Sequence, residues 1–587
     1  MKITSRSKLW SRLVVTLGTG LLLSACVVAD RNMAAKQDVS FPPSQPDEIR
    51  VFYNATILTM DEAFSTSQAI AIEGNKLIAV GSKAEVLEQV GDEAIMIDLQ
   101  KKVVLPGFID AHLHIVGAAQ LSILEDVGLT RFRTVEEALE HMKQVGQNSR
   151  PGDWLLFTNL DFGTQVSQFN EMTADRLDKV SADNPVFVLH AGGHVASANS
   201  KMIELMGLTK STPDPETGGK FGRSADGQPN GELYGFAVLP ALESIEPFQN
   251  FDREKGIKEV SAQWSASGLT SIVDAGTAAL KADELDLLKK LTINGSLQQR
   301  IRAYLSPGRD DLWFGKRGIK PNYGDAKLRI VGYKVSADGS NQARTGLQRD
   351  PYLGGESKGL PYMSEEQIFD NIVEKSKLGF QMAMHGNGDG AIDNIISAVG
   401  RAKQQGVTVI RPRIEHCSII QDDQLQELKD LDISCSFLIG HVRLWGSAFR
   451  KDIFGQEKAE KLDRTGSFER VGIPYSLHSD ASVTTFTPLE MVEIAVTREL
   501  FSEPGYILAP SERAAREMAL RGVTSTAAWQ MMSEHEIGSL EPGKLADFVV
   551  LEENPLTVKV DSIGEIKVLE TWIDGEQVYR ENSRETN

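Results

Sequence analysis

Cysteine is scarce in this chain, with three among 587 residues. One lies near the N-terminus at position 26, so the body of the chain can form at most one internal disulfide, between Cys417 and Cys435. Both of these lie in apolar runs, and we expect them to be buried free thiols. A disulfide-rich secreted scaffold is therefore excluded, and a large buried core must supply the stability instead.

Basic residues are also outnumbered. The chain has 62 lysines and arginines against 81 aspartates and glutamates, which gives a formal net charge of −19. Nucleic acid is therefore not expected as a partner, because an acidic surface repels a phosphate backbone. With 41% hydrophobic residues, a chain of this length can form a globular protein with more than one domain.

The apolar run near the N-terminus, Leu13 to Leu23, is too short to span a bilayer comfortably. It follows a basic region that contains Lys2, Arg6, Lys8 and Arg12, a pattern typical of a secretion signal. The signal ends in Leu23-Ser24-Ala25-Cys26, which resembles the lipobox of bacterial lipoproteins. That resemblance implies cleavage before Cys26, a lipid on its thiol, and an exported lipoprotein at the periplasmic face of a bacterial membrane. Val27 in the next position favours the outer membrane, and the alternative is a plain signal peptide cleaved near Ala25.

Composition divides the chain into segments. Residues 1–25 form the signal peptide, and residues 26–47, with three prolines and no apolar periodicity, form an extended tether. Short β-rich runs occupy residues 48–105 and return in residues 538–587, which predicts a small β-sandwich built from both ends of the mature chain. Residues 106–537 alternate β-rich runs with helical patterns, the arrangement of a parallel sheet or barrel.

Eight such β-rich runs can be counted, the number of strands in a TIM-like (β/α)8 barrel. They are Phe108 to His114, Thr270 to Asp274, Ile301 to Leu305, Ile330 to Val335, Gln381 to His385, Arg413 to His416, Ile433 to Ile439 and Pro474 to Asp480. About 125 residues separate the first two runs, well beyond an ordinary crossover. This interval predicts an inserted subdomain at about residues 145–245 of an α/β barrel protein.

Two histidines, His112 and His114, stand at i and i+2 where the first run ends. Side chains at i and i+2 of a strand share one face, so both imidazoles can point at one metal ion. Other runs end in further residues that are able to bind a metal. They are Lys334, His385, His416 and Asp480. The C-terminal ends of barrel strands are where catalytic residues gather, so the six are predicted to meet at one mouth of the barrel.

The motifs identify the chain as similar to the amidohydrolase superfamily, in particular its YtcJ-like branch, amidohydrolase family 3. The resemblance runs from about Ile49 to Tyr579. It rests on Pro106-Gly-Phe-Ile-Asp-Ala-His-Leu-His114, Gly193-His194, Asn199-Ser-Lys201, Pro229-Asn-Gly231, Lys334, Asp338-Gly-Ser340, His385, Gly388-Asp389, Ile414-Glu-His416, Ser479-Asp480 and Gly538-Ser-Leu-Glu-Pro-Gly-Lys-Leu-Ala-Asp547. The family implies a metal-dependent hydrolase barrel with a urease-type β-sandwich.

The resemblance also implies a role for each ligand. His112, His114 and Asp480 would hold one metal, and His385 and His416 a second, while a carboxylated Lys334 would bridge them. A carbamate supplies oxygens and negative charge, whereas an ammonium has no lone pair to offer. If Lys334 is instead an ion-paired lysine, the centre would be mononuclear. Zinc is the expected divalent ion, as one or two ions, although iron, manganese and nickel also suit such ligands.

The implied reaction is hydrolysis of a carbon–nitrogen bond in an amide other than a peptide. Water at the metal becomes hydroxide near neutral pH, and Asp480 would relay its proton to the leaving nitrogen. Hydrolysis of a lactone or carbamate, or deacetylation, would use the same centre. A non-catalytic binding or regulatory lipoprotein that kept the fold is a further alternative.

Other polar residues are candidates for the substrate pocket. His194 either contacts substrate or makes a structural hydrogen bond, and Arg344, His441 and Trp445 either line the pocket or belong to packed loops. We expect His478 to pack or to support a ligand by a hydrogen bond rather than to bind metal. The partner is a small-molecule substrate, and a homo-oligomer is compatible with the sequence. The sequence departs from many relatives at Gly231-Glu-Leu-Tyr-Gly235 and Ser436-Phe-Leu-Ile-Gly-His441, which leaves the substrate open.

Overall fold

The structure, a computed structural model, describes residues 48–91, 93–215, 218–279 and 281–581. The predicted signal peptide, the lipidation of Cys26 and the tether lie outside these residues. Within them, no helix is both long and apolar enough to cross a bilayer.

A parallel barrel of eight strands forms the centre of the protein. The strands are β1 (Phe108–Leu113), β2 (Leu269–Thr277), β3 (Arg300–Leu305), β4 (Leu328–Ser336), β5 (Gln381–Gly386), β6 (Arg413–His416), β7 (Ser434–Phe437) and β8 (Tyr475–Leu477). Each pairs in parallel with the next in this order. All eight strands overlap the eight runs counted in the sequence, so the predicted α/β barrel is confirmed.

The ring of strands is nearly closed between β8 and β1. The backbone N–H of Asp480, just after β8, donates to the carbonyl of His112 across 3.0 Å, and that of His114 donates to Ala481 across 3.1 Å. The loop after the last strand is thereby attached to the end of the first strand. This attachment places Asp480 directly beside the two histidines.

Helices surround the barrel and follow most of its strands. Those between or after the barrel strands are Ile115–Leu121, Arg253–Ala266, Glu284–Ile293, Glu365–Lys377, Asp389–Gln404, Asp422–Asp430, Gly440–Ala448, Gln456–Ala459, Thr465–Val471, Pro488–Thr497, Arg516–Gly522 and Ser525–Gln530, with wider helical turns at Asp311–Lys316 and Phe449–Ile453. Glu365–Lys377 shows how the sequence sets them. Ser364 and Gln367 form a capping box at its start, and Ile368 and Ile372 bury one face against the barrel.

A second sheet joins the two ends of the described chain. Its strands are Ile49–Leu58, Thr66–Glu73, Lys76–Gly81, Ile95–Asp98, Val103–Pro106, Phe548–Leu551, Val568–Ile573 and Glu576–Arg580, with the helix Lys83–Val90. Phe548–Leu551 pairs antiparallel with Val103–Pro106, so the late strands continue the early ones. The rings of Phe52, Phe548 and Trp572 pack together inside this sheet, with centroids 5.0 to 5.4 Å apart.

The terminal sheet meets the barrel where the chain passes from one to the other. The backbone N–H of Gly107 donates to Asp547, and a Cβ on Gly107 would lie 2.2 Å from Thr270 of β2, so only glycine fits this close approach. Buried Arg300 of β3 binds the carboxylate of Asp547 through Nε at 2.6 Å and through a second nitrogen at 3.0 Å, and it also contacts Asp574. A buried ion pair therefore connects the base of the barrel to the terminal sheet.

The long interval after β1 forms a third sheet. Its strands are Glu125–Asp126, Leu155–Leu160, Val186–His190, Val195–Ala198, Gly219–Arg223 and Pro229–Gly235, and its helices are Val135–Asn148, Ala174–Leu177, Ser200–Leu205, Val238–Ser244 and Glu246–Gln249. Separate apolar clusters centred on Phe157 and Phe187 form its core. The loop between Val186–His190 and Val195–Ala198 carries His194.

Cys417 and Cys435 are joined by a disulfide, with an S–S distance of 2.07 Å. The expectation of two free thiols was therefore wrong. Both side chains are fully buried, as expected, but Cys417 follows the end of β6 and Cys435 lies on the adjacent strand β7. Their Cα atoms are 6.0 Å apart, within the usual range for a disulfide. The apolar surroundings of each cysteine gave no sign of this pairing across neighbouring strands.

Candidate metal centre

The six predicted ligands lie at the C-terminal mouth of the barrel. His112, Lys334, His385 and His416 lie on β1, β4, β5 and β6, while His114 and Asp480 follow β1 and β8. Five of the six side chains are at least nine-tenths buried, and His114 is more open, with 43% of its side chain exposed. The mouth of the barrel is accessible on the side of His114.

Three of these residues converge on one point. The Oδ1 atom of Asp480 lies 3.5 Å from Nε2 of His112 and 3.4 Å from Nε2 of His114. Although this oxygen is buried, it has no hydrogen-bond partner among the described residues. An unpartnered buried carboxylate oxygen facing two imidazole nitrogens fits a divalent cation, which would balance its charge and use all three donors. The three atoms lie within 4.8 Å of one another.

His416 and His478 extend the cluster into the barrel. The Nδ1 atom of His416 lies 3.8 Å from Oδ2 of Asp480 and 3.2 Å from Nε2 of His478. His112, His416 and His478 form a second group of three whose nitrogens lie within 4.8 Å of one another. The Nδ1 atom of His478 is 2.7 Å from the hydroxyl of Ser436. Hydrogen bonding by His478 is thus present, and its Nε2 also lies within reach of a metal beside His112.

His385 lies next to this cluster but turns one nitrogen away from it. Its ring centroid is 4.5 Å from that of His416. Its Nε2 atom lies 3.1 Å from the carbonyl of Gly339 and 3.1 Å from the side-chain amide of Asn387. Nδ1 is therefore the nitrogen of His385 left for a metal in this arrangement.

Lys334 is buried with its ammonium beside a histidine rather than a carboxylate. Nζ lies 3.5 Å from Nε2 of His112, and no carboxylate of the described residues lies within 4.0 Å of it. Burial lowers the pKa of Lys334 to about 8, because the charged amine loses its hydration. An appreciable fraction of this amine is therefore neutral near pH 7.

The buried histidines are neutral for the same reason. Burial holds the pKa of His112, His385, His416 and His478 well below the usual 6.5, and the neighbouring cationic groups lower it further. Neutral imidazole is the form that binds metals. The cluster therefore has its nitrogen lone pairs available at neutral pH.

Glu415 supports His112 through a buried hydrogen bond and was not predicted from the sequence. Its Oε2 atom accepts a hydrogen bond from Nδ1 of His112 at 2.5 Å, and Arg413 binds the same carboxylate through two nitrogens, at 2.5 and 2.9 Å. This contact places the proton of His112 on Nδ1 and leaves Nε2 free to face Asp480. Glu415 is part of the Ile414-Glu-His416 motif, and this motif was the sequence feature that could have pointed to it.

Asp110 connects the first strand to the loop that carries Asp480. It accepts hydrogen bonds from the backbone N–H of His112 at 3.1 Å and from the hydroxyl of Ser479 at 2.5 Å. Burial raises the pKa of Asp110 to about 7.

Asp480 and His416 both adopt left-handed backbone conformations, with φ of 53° and 66°. Such conformations are uncommon outside glycine and cluster at functional sites.

The four weaker candidates have different surroundings. His194 lies beside His385, with the two rings 5.4 Å apart, and its Nδ1 is 3.1 Å from the hydroxyl of Tyr362. His441 is buried and bonds to Ser418 at 3.1 Å, and Trp445 donates to Asp161 at 2.5 Å. Arg344 donates to two backbone carbonyls and lines a separate cavity of about 500 Å³ between the insert and the barrel loops.

A family model and several known proteins are similar to most of this chain. The model of the family described as "Amidohydrolase family" matches residues 96–579. The chain is 29% identical over 538 residues to an N-substituted formamide deformylase of Arthrobacter pascens, covering 89% of this chain and 96% of that protein. It is 28% identical to the protein LONG AFTER FAR-RED 3 of Arabidopsis thaliana, covering 90% and 91%.

The fold has a solved counterpart. An uncharacterized metal-dependent hydrolase from Pyrococcus horikoshii OT3 superimposes with a TM-score of 0.69 at 25% identity, covering 87% of this chain and 99% of the other.

Proposed function

This chain belongs to the amidohydrolase family and is a metal-dependent hydrolase acting on carbon–nitrogen bonds, and from that premise we propose that it removes the formyl group from N-substituted formamides. The proposal is supported by its similarity to the Arthrobacter pascens deformylase along nearly the whole of both proteins. Water would be consumed, and formate and a free amine would be released.

The unpartnered oxygen of Asp480 is the observation that carries the metal-dependent part of the proposal. His112, His114 and Asp480 would hold the divalent ion, and His416 is near enough to complete a four-ligand set. Zinc is the ion that we propose, because nitrogen and carboxylate donors in a compact cluster suit it. When bound, such an ion supplies Lewis acidity, which polarises a carbonyl and acidifies water.

A second ion would require Lys334 to carry a carboxyl group. The neutral amine would attack carbon dioxide, form a carbamate and release one proton. Two observations support this, namely the lowered pKa of Lys334 and the lack of a carboxylate beside its Nζ among the described residues. His385, through Nδ1, and His416 would then be ligands of the second ion. Without the carbamate the centre would hold one ion.

Asp480 would also move the proton. One of its oxygens faces the metal ligands, and the other lies 3.8 Å from His416, so the carboxylate lies at the centre of the site. It would take a proton from the attacking water and pass it to the nitrogen as the carbon–nitrogen bond breaks. The released amine therefore departs neutral.

The place of action and the assembly are further proposals. Cys26 would carry the lipid that anchors the protein to the periplasmic face of a bacterial membrane, with the outer membrane favoured. Hydrolysis of lactones or carbamates and deacetylation remain competing reactions of the same centre, and homo-oligomerisation is compatible with them.

Purified full-length protein in detergent provides the test. Bound metal is measured by plasma mass spectrometry, and product release is followed for matched N-formyl, N-acetyl, carbamate and lactone compounds that share one apolar substituent. We expect bound zinc and formate release, both lost in a His112→Ala/His114→Ala variant and kept in a control His141→Ala variant, whose histidine bonds to Glu125 in the insert. Faster release of acetate than formate would favour deacetylation, and a protein without metal or hydrolysis would overturn the proposal.

A further inference from the structure

The contact between His194 and Tyr362 joins the inserted subdomain to the barrel directly beside the candidate metal centre. His194 lies on a loop of the insert, and Tyr362 lies on the barrel segment after β4. The hydroxyl of Tyr362 is 3.1 Å from Nδ1 of His194, and the two rings are 5.9 Å apart. Tyr362 is 5% exposed, so its hydroxyl depends on protein partners.

The hydroxyl is held in place by close backbone approaches. A Cβ on Gly235 of the insert or on Gly339 of the barrel would each lie 3.0 Å from this oxygen. Gly339 is also the residue whose carbonyl lies 3.1 Å from Nε2 of His385. Tyr362 is thereby fixed relative to the candidate ligands.

The hydrogen bond sets the tautomer of His194. Burial raises the pKa of Tyr362, so the phenol keeps its proton at pH 7. No other acceptor for the Tyr362 hydroxyl lies among the described residues. If Nδ1 carried the imidazole proton, the buried phenol proton would have no hydrogen-bond partner, which is unfavourable. The phenol therefore donates to Nδ1, and the imidazole proton lies on Nε2.

Nε2 of His194 is the ring nitrogen left for a further contact. It has no hydrogen-bond partner among the described residues, and the ring lies 5.4 Å from that of His385.

We propose that the Nε2–H of His194 donates a hydrogen bond to the carbonyl oxygen of the substrate, and that Tyr362 is the positioning residue that keeps this proton on Nε2. The inference rests on the proposed amide hydrolysis. The donor meets the oxygen on which negative charge grows during attack, and loss of such a donor commonly lowers kcat about 100- to 1000-fold. The insert thus contributes one group to the reaction, and the barrel sets its protonation.

Four variants separate this role from simple packing. Tyr362→Phe removes the hydroxyl and keeps the ring. His194→Gln places an amide N–H near the position of Nε2, whereas His194→Asn places it near Nδ1. Tyr352→Phe is the control, because it removes another buried hydroxyl of the same segment, one that donates to Gly346.

The expected kinetic results follow from these geometries, measured with N-formyl amines at equal metal content. Tyr362→Phe should lower kcat at least tenfold with little change in KM, and the control should not. His194→Gln should keep more activity than His194→Asn and should lose nothing further when Tyr362→Phe is added. Equal losses in the Gln and Asn variants, or a normal kcat in Tyr362→Phe, would overturn the proposal.

A second measurement does not depend on turnover. Nitrogen NMR of histidine-labelled protein reports which ring nitrogen carries the proton, with the His194 signals identified by their absence in the His194→Gln variant. We expect the Nε2–H tautomer in the wild type and a mixture in Tyr362→Phe. An Nδ1–H tautomer in the wild type would refute the inference even if no formamide is hydrolysed, while failure of hydrolysis with the Nε2–H tautomer present would count against the proposed function alone.

Discussion

The carboxylate of Glu415 accepts a hydrogen bond from Nδ1 of His112 across 2.5 Å, although 303 residues separate them in sequence. Glu415 is itself fixed by Arg413, and all three side chains are buried. The orientation of His112, a candidate metal ligand, is therefore determined by residues of β6.

Replacing Glu415 with Gln should weaken metal binding by about 10- to 100-fold, the usual effect of losing a carboxylate that supports a ligand histidine. The measurement is competition with a chelator of known affinity. Glu427→Gln, on the exposed face of Asp422–Asp430, is the matched control and should bind metal normally. Unchanged affinity in Glu415→Gln would show that His112 keeps its orientation without this partner.

Replacing Lys334 with Ala should halve the metal content per chain if a carbamate bridges two ions. Incubating the wild type with ¹³C-labelled bicarbonate should also produce a carbamate carbon signal in NMR that the variant lacks. The same metal content in both proteins would reject the bridge and leave a mononuclear centre.

Thiol titration should detect the Cys417–Cys435 disulfide directly. Unfolded protein should expose two additional thiols only after reduction. Replacing both cysteines with Ala should lower the free energy of unfolding by about 3 kcal/mol, because the bond closes a loop with a sequence separation of 18 residues. Two reactive thiols before reduction would contradict the bonded state.

Replacing Asp547 with Ala should destabilise the protein by roughly 3 kcal/mol, since it removes one of two carboxylates from buried Arg300. Because Asp574 remains as a partner of Arg300, the loss of unfolding free energy should lie at the lower end of the range seen when buried ion pairs are broken. Urea denaturation followed by circular dichroism provides the measurement, and Glu552→Ala, an exposed carboxylate nearby in sequence, should leave the midpoint unchanged.

The contribution of three buried histidines to stability should fall as the pH drops below about 6.5, whereas buried carboxyls with a raised pKa, such as Asp110, contribute with the opposite sign. Burial lowers the pKa of His190 and His194 to about 4 and that of His441 to about 3. Between those values and the ordinary pKa near 6.5, the unfolded chain binds protons that the folded protein does not, so unfolding becomes easier as the pH decreases. His441→Asn should flatten this dependence of the unfolding midpoint, whereas His535→Asn, whose side chain is 91% exposed, should not.

The barrel could be predicted because its sequence signals are local. Each strand is a short apolar run, and a polar residue such as His416 or Asp480 stands where the run ends. The eight strands and the position of the candidate ligands at one mouth follow from this pattern and the family motifs.

The partners of these residues could not be predicted, because they are set by distant contacts. The support of His112 by Glu415, the disulfide and the Tyr362 contact each join segments whose meeting depends on the register of neighbouring strands or on the placement of the insert. His441 and Trp445 had the right residue types for a pocket, but their hydrogen bonds go to Ser418 and Asp161.

The two backbone hydrogen bonds between the end of β1 and the loop that carries Asp480 join segments that are far apart in the chain. In the chain, His112 and His114 come early, and Asp480 comes only after all eight strands of the barrel. Without the loop that carries Asp480, the end of β1 lacks these hydrogen bonds, and His112 and His114 lack the carboxylate beside them. A chain that ends before Asp480 therefore lacks both this attachment and the carboxylate of the cluster.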